Sequence, residues 1–232
     1  MSENHSTEVK NHFQENWAQY DQKIRKVIPF YDEGFQIMID IVRGIRLVPQ
    51  SVLDIGIGTG NLSLALLKTL NCIKLTGIDI VSDYVKMAGH KLSNFKDQID
   101  LHCLDVNEYS FDKKHDLVIS SFVFHHITDD DKRAMYQKIY HALNPGGMFI
   151  NYDFVGSGSS LFYKVFDDIR MDYMRKNGIS EEIIQIDYID HRNFEIPMSY
   201  HEQRELLSSI GFKEVECFWK YINLAIFGGI KK

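Results

Sequence analysis

Three carboxylates and three glycines are placed where they can hold a ligand together. Asp54 sits near the end of the apolar run Val52, Leu53, Ile55; Gly56, Gly58 and Gly60 follow at alternate positions; Leu62, Leu64, Ala65, Leu66 and Leu67 then continue as a helix. Strand, glycine turn and helix in such close succession form a cradle. Glycine lets the backbone adopt positive φ and approach a ligand closely, and the helix opens with N–H groups that can meet polar ligand atoms. A carboxylate beside the turn favours a cationic group.

Asp79 ends a second apolar run, Lys74 to Ile78, about twenty residues past the glycines, where dinucleotide-binding units place an acceptor for ribose hydroxyls. Asp105 follows a third run, Ile99 to Leu104, at a position suited to an adenine amino group. The spacing G-x-G-x-G puts Asn61 where a pyrophosphate-binding turn needs its third glycine, which counts against a nicotinamide cofactor. Ribose, adenine and a cationic amino-acid moiety together describe S-adenosyl-L-methionine.

These residues need a parallel sheet to bring them to one edge. The chain reads as strand 51–55, helix 60–70, strand 74–78, helix 82–92, strands 99–103 and 115–120, helix 129–143 and strand 147–153. Thr128 with Asp129, Asp130 and Asp131 is a helix start, and Asn144-Pro145-Gly146-Gly147 the matching stop. Two apolar runs with almost no linker, Phe212 to Trp219 and Tyr221 to Gly229, should pair as an antiparallel C-terminal hairpin. The expected fold is an α/β, Rossmann-like, doubly wound seven-stranded sheet. Residues 1–232 read as a single domain with an N-terminal helical arm, 1–48, and a helical cap insertion, 156–200. In the arm, Phe13, Trp17, Tyr20 and Ile24 recur at helical spacing, which fits aromatics packed on the sheet.

The segments VLDIGIGTGNL, GIDI (Gly77 to Ile80), LDV (Leu104 to Val106) and LNPGG (Leu143 to Gly147) resemble, in order and spacing, the class I S-adenosylmethionine-dependent methyltransferases. The resemblance implies that Asp54 and Gly56 face the methionine part of the cofactor. It likewise implies that Asp79 binds the ribose, Ile80 packs on adenine, and Asp105 with Val106 contacts the adenine edge. The cap and C-terminal region (Asp172 to Ile183, Pro197 to Ser199 and the run from Gly211) are similar to the carboxy-S-adenosylmethionine synthases of bacterial tRNA modification. By that likeness, Tyr31 in IPFYDE matches a cofactor-contacting tyrosine, and Ser121 falls where the family has an asparagine near the sulfonium substituent. Tyr188 stands where the family has the arginine that holds the extra carboxylate, with Arg192 four residues on as the candidate substitute for it. The departures at Ser121 and Tyr188 put ordinary methyl transfer ahead of cofactor conversion with prephenate.

Methyl transfer asks for alignment and, with a hydroxyl or acidic-carbon acceptor, a base. His125 and His126, just past the fourth strand, are the candidates, and support of the Thr128 cap is their alternative role. Asp153, ending the fifth strand, is a candidate to orient substrate or to hold a neighbouring loop amide. His191 and His201 lack the fixed spacing of zinc ligands, and no metal is expected.

A formal net charge of −6 without a block of like charges argues against nucleic acid, as does SSFVFHH in place of the Asp/Asn-Pro-Pro-aromatic motif of base-amino methylating enzymes. No apolar run is long enough to span a bilayer and no charged-then-apolar leader is visible, while Cys72, Cys103 and Cys217 are far apart. The expectation is a cytoplasmic enzyme with a small-molecule acceptor, no nucleic-acid or membrane partner, and a homodimer as its allowed assembly. The rival from another class is a module that senses S-adenosylmethionine without catalysis.

Overall fold

The structure, a computed structural model, describes residues 20–70 and 74–232, the side chains of 20, 191 and 192 excepted. Seven strands form one sheet in the order β3-β2-β1-β4-β5-β7-β6. They are β1 (Ser51–Ile55), β2 (Lys74–Asp79), β3 (Ile99–Cys103), β4 (His115–Ser121), β5 (Leu143–Phe154), β6 (Lys213–Tyr221) and β7 (Leu224–Ile230). The first five run parallel; β7 is antiparallel to both β5 and β6.

Alternate residues of β1 enter different cores. Val52 joins the cluster containing Phe35 of α2 (Tyr31–Gly44) and Leu66 of α3 (Asn61–Thr69). Leu53 joins the cluster containing Ile139 of α5 (Asp129–Ala142) and Leu207 of α8 (Tyr200–Ile210). A strand covered on both faces is apolar toward both, which is why Val52, Leu53 and Ile55 read as a run, broken only by the buried Asp54, rather than as an alternation. Strand order reverses between β1 and β4, and ligands of such sheets bind in the crevice beyond the strands' C-terminal ends there.

Local chemistry sets most boundaries. Thr128 caps α5 by accepting from Asp131 N at 3.2 Å, beside three aspartates in the first turn. β5 opens at Leu143, so the LNPGG segment is the start of the strand and not a stop preceding one at 147. Asn144 precedes a proline, which drives it out of helical conformation, and the strand regains register through a shift between His115 and Leu117. The C-terminal hairpin forms as expected, with Ile222 at φ 47° in its two-residue turn.

The cap consists of α6 (Ser160–Lys176) and α7 (Glu181–Phe194), and its return is pinned by a bridge from Ser199 to Gly156. A side chain at Gly156 would lie 2.3 Å from the Pro197 carbonyl, so the two backbones meet only because this residue is glycine. Ser199 and Glu202 then start α8 with a reciprocal capping box. Of the arm, α1 (Tyr20–Val27) and α2 are helical, whereas Phe13 and Trp17 lie outside the described residues. Among the described residues no helix is long and apolar enough to cross a membrane.

Candidate active site

The glycine turn is tightly built. Gly56, Gly58 and Gly60 have φ of 71°, 54° and 84°, a left-handed stretch that side chains resist. A Cβ on Gly56 would lie 2.1 Å from the Val123 side chain. Gly60 caps α3 and faces Ala88 of α4 (Ser82–Lys91), so it serves the turn and the helix contact.

Asp54 is buried beneath this turn. Its Oδ2 accepts from Ser63 Oγ at 2.5 Å, while its Oδ1 is buried with no partner. Burial, reinforced by the nearby Asp79, pushes the carboxyl up to about 7 despite the Ser63 bond. A buried, half-partnered carboxylate below a glycine cradle fits the ammonium of an amino-acid moiety. Asp79 is also raised by burial, although Gly58 N and Val81 N donate to it at 2.8 and 2.9 Å.

A cavity at the switch point brings together Gly56, Gly58, Asp79, Ile80, Asp105, Val106, Ser121 and His126, from four different strand ends. Tyr31 stands behind one wall, its ring stacked at 5.7 Å on Phe122, which lines the cavity. Phe122 holds φ 58°, a left-handed conformation costly for an aromatic residue, and its N–H donates to Tyr152 O at 2.9 Å. Sequence reasoning missed Phe122, Val123 and Tyr84 as wall residues. Phe122 and Val123 fall in the quoted SSFVFHH segment; Tyr84 carries no local signal, being one aromatic on a helix.

The two histidines separate. His125 is buried away from the cavity: its Nδ1 pairs with Asp153, and its Nε2 lies 3.9 Å from Glu195. Burial opposes charge on His125, but the two carboxylates outweigh it and raise its pKa. Asp153 also accepts from Phe124 N and Phe154 N, both at 2.8 Å, so it anchors the turn after β4 and lies off the cavity wall. His126 does line the cavity, with its ring centroid 3.8 Å from that of His125. Tyr188 is half-buried on α7, apart from the cavity wall, and the Arg192 side chain lies outside the described residues. Among the described residues no group of three or more side chains could hold a metal.

Residues 52–147 match the family described as "Methyltransferase domain". The chain is 29% identical over 214 residues to a carboxy-S-adenosyl-L-methionine synthase of a Nitratiruptor species, covering 92% of this chain and 89% of that one. It is 27% identical over 212 residues to the synthase of Nautilia profundicola, covering 91% and 90%. In fold it is similar to magnesium protoporphyrin IX methyltransferase of Synechocystis PCC 6803, with TM-score 0.67, 16% identity and 98% and 97% of the two chains covered. It is also similar to phosphoethanolamine N-methyltransferase 2 of Haemonchus contortus, with TM-score 0.56, 22% identity and 80% and 38% covered. The chain carries a methyltransferase domain over residues 52–147, on a fold it shares with solved methyltransferases. S-adenosylmethionine is its cofactor.

Proposed function

We propose that the protein methylates a small-molecule acceptor in the cytoplasm, with His126 as general base. The observation that carries this reading is His126 on the wall that also presents Gly56, Asp79 and Asp105. Asp54 would hold the amino-acid moiety, Asp79 the ribose, and Ile80, Asp105 and Val106 the adenine. The bound cofactor supplies an activated methyl group on a sulfonium, already a good leaving group. The chain's own residues position the acceptor, exclude water and take up a proton.

His126 is suited to receive that proton at its imidazole. His125, clamped by Asp153 and Glu195, backs its ring and carries positive charge at higher pH than an ordinary histidine. Phe122, with Tyr31 stacked behind it, gives the acceptor an apolar face to lie on. The net charge of −6 supports a small acceptor over nucleic acid. Residues 1–232 are read as one domain, and a homodimer is consistent with this function. Assay of labelled methyl transfer across hydroxyl, amine and carbon-acid acceptors, with wild type and His126→Gln, tests the assignment. Turnover unaffected by His126→Gln would remove the base from the mechanism.

A second reading, formation of a carboxylated cofactor, is supported by the likeness to the synthases over 91% or more of the chain. Tyr188 in place of the family's arginine weighs against it, since one neutral hydroxyl replaces a bidentate, charge-assisted donor. Mass spectrometry of the co-purifying ligand separates the two readings, as the cofactors differ in mass. Tyr188→Arg should then move preference toward the carboxylated form, and Arg192→Ala should leave wild-type preference unchanged.

A further inference from the structure

The glycine turn is held from outside by a charged cluster that the methyl-transfer reading does not use. Asp21, in the first turn of α1, accepts from Thr59 Oγ1 at 2.6 Å, Asn61 Nδ2 at 2.8 Å and Lys91 Nζ at 2.6 Å. Lys91, the last residue of α4, also donates to Thr59 Oγ1 at 3.0 Å and to Asn61 Oδ1 at 2.6 Å. The hub is partly shielded, with side-chain exposures of 19% for Lys91 and 30% for Asp21. Burial alone would raise the Asp21 carboxyl, yet its three donors hold it below the ordinary value.

The residues this hub grips are the turn itself. Thr59 is 2% exposed and sits between Gly58 and Gly60, whose left-handed conformations shape the cradle. Asn61 opens α3 and passes a second hydrogen bond to Tyr31 OH at 3.2 Å, and Tyr31 stacks on the cavity wall residue Phe122. On the inner side, Gly58 N donates to Asp79. One short turn therefore touches the ribose carboxylate on one side and the α1 carboxylate on the other. α1 has further attachment at its opposite end, where Tyr173 OH of α6 donates to Arg25 O at 3.0 Å.

We infer that Asp21 and Lys91 form a positioning network that makes docking of α1 and ordering of the cofactor turn one equilibrium. Asp21 and Lys91 are positioning residues: they act through Thr59, Asn61 and Tyr31. With α1 docked, the glycine turn is already in its binding conformation, so the cofactor does not have to order it. With α1 released, the turn regains freedom that the cofactor must remove. Such coupling is reciprocal, so cofactor binding must hold α1 down as strongly as α1 strengthens cofactor binding.

The test combines calorimetric titration of S-adenosylhomocysteine with hydrogen exchange of residues 20–27, using wild type, Asp21→Ala and Lys91→Met. In wild type, saturation should slow exchange in α1. Each variant should bind the ligand about tenfold more weakly, near the low end for loss of charged hydrogen bonds, and should lose the ligand-dependent slowing. The double variant should be no worse than about the poorer single one, because either substitution opens the same latch. Wild-type binding with α1 exchange unchanged would overturn the coupling and leave the cofactor assignment standing. So would Lys91→Met protein that is folded and binds as wild type. Failure of wild type to bind at all would overturn both.

Discussion

The cofactor half of the site, at the ends of β1 and β2, and the cap-side half, after β4 and β5, each rest on a buried aspartate, and the two are treated oppositely. Asp54 is 1% exposed and keeps one oxygen unpartnered. Asp153 is equally buried, but its oxygens take two backbone N–H groups and the His125 ring. A buried polar atom without a partner costs stability, whereas a satisfied cluster makes one rigid arrangement. The first half leaves a buried acceptor without a partner beneath the glycine turn. The second is built to hold the turn that carries Phe122 and His126.

That contrast predicts which measurement each half will move. The largest effect should come from Gly56→Val, where a side chain would demand φ 71° and collide with Val123. Cofactor binding should become undetectable by titration, with circular dichroism reporting whether the sheet survives. On the other side, His126→Gln should lower kcat by about 10²–10⁴-fold, the range for loss of a general base, with cofactor Kd unchanged. A weakened Kd with normal kcat would merge the two halves.

His125→Ala should cost about 3–5 kcal/mol of stability, because it strips a buried charge of its partner. Denaturant unfolding measures it. Since the folded pKa of His125 is raised, its contribution should be full below the ordinary histidine value and fade as pH climbs through the folded one. Asp79→Ala should weaken S-adenosylmethionine binding by roughly 1.5–3 kcal/mol, read by calorimetry, through loss of a charged hydrogen-bond acceptor.

The smallest effect at neutral pH is the dependence contributed by Asp54. With its apo pKa near 7 and a cationic ligand favouring the ionised form, affinity should rise with pH up to about 7 and level off above it. Below that point the loss should approach tenfold per pH unit. The same raised pKa means that folding of the ligand-free protein loses stability as pH rises from the usual carboxylate range to about 7. Asp54→Asn should therefore raise the ligand-free Tm at pH 8 and flatten the pH dependence of binding.

Much of the cofactor half is legible in the chain because its elements are local. Strand, glycines, helix and the acidic residues ending β2 and following β3 are each set within a few neighbours by turn chemistry and by burial on both sheet faces. The doubly wound seven-stranded sheet, the antiparallel hairpin and the helical cap follow from the same patterns, whereas the strand order comes from the structure. The LNPGG segment reads as a stop because proline and glycine mark a helix end and an irregular strand start alike, and only pairing with β4 distinguishes them.

Residue types at short, fixed spacings were enough to specify the cradle, its cofactor and the alternating elements that carry it. The tertiary structure decided which histidine faces the cavity. The two rings pack against each other at 3.8 Å, but Asp153, 28 positions from His125, claims that one, and His126 is the one that lines the cavity. It also decided that Asp21 and Lys91, 70 positions apart, meet on the glycine turn. Long-range charge pairing leaves no periodic trace in a chain, because its geometry exists only once the sheet has brought α1 and α4 together.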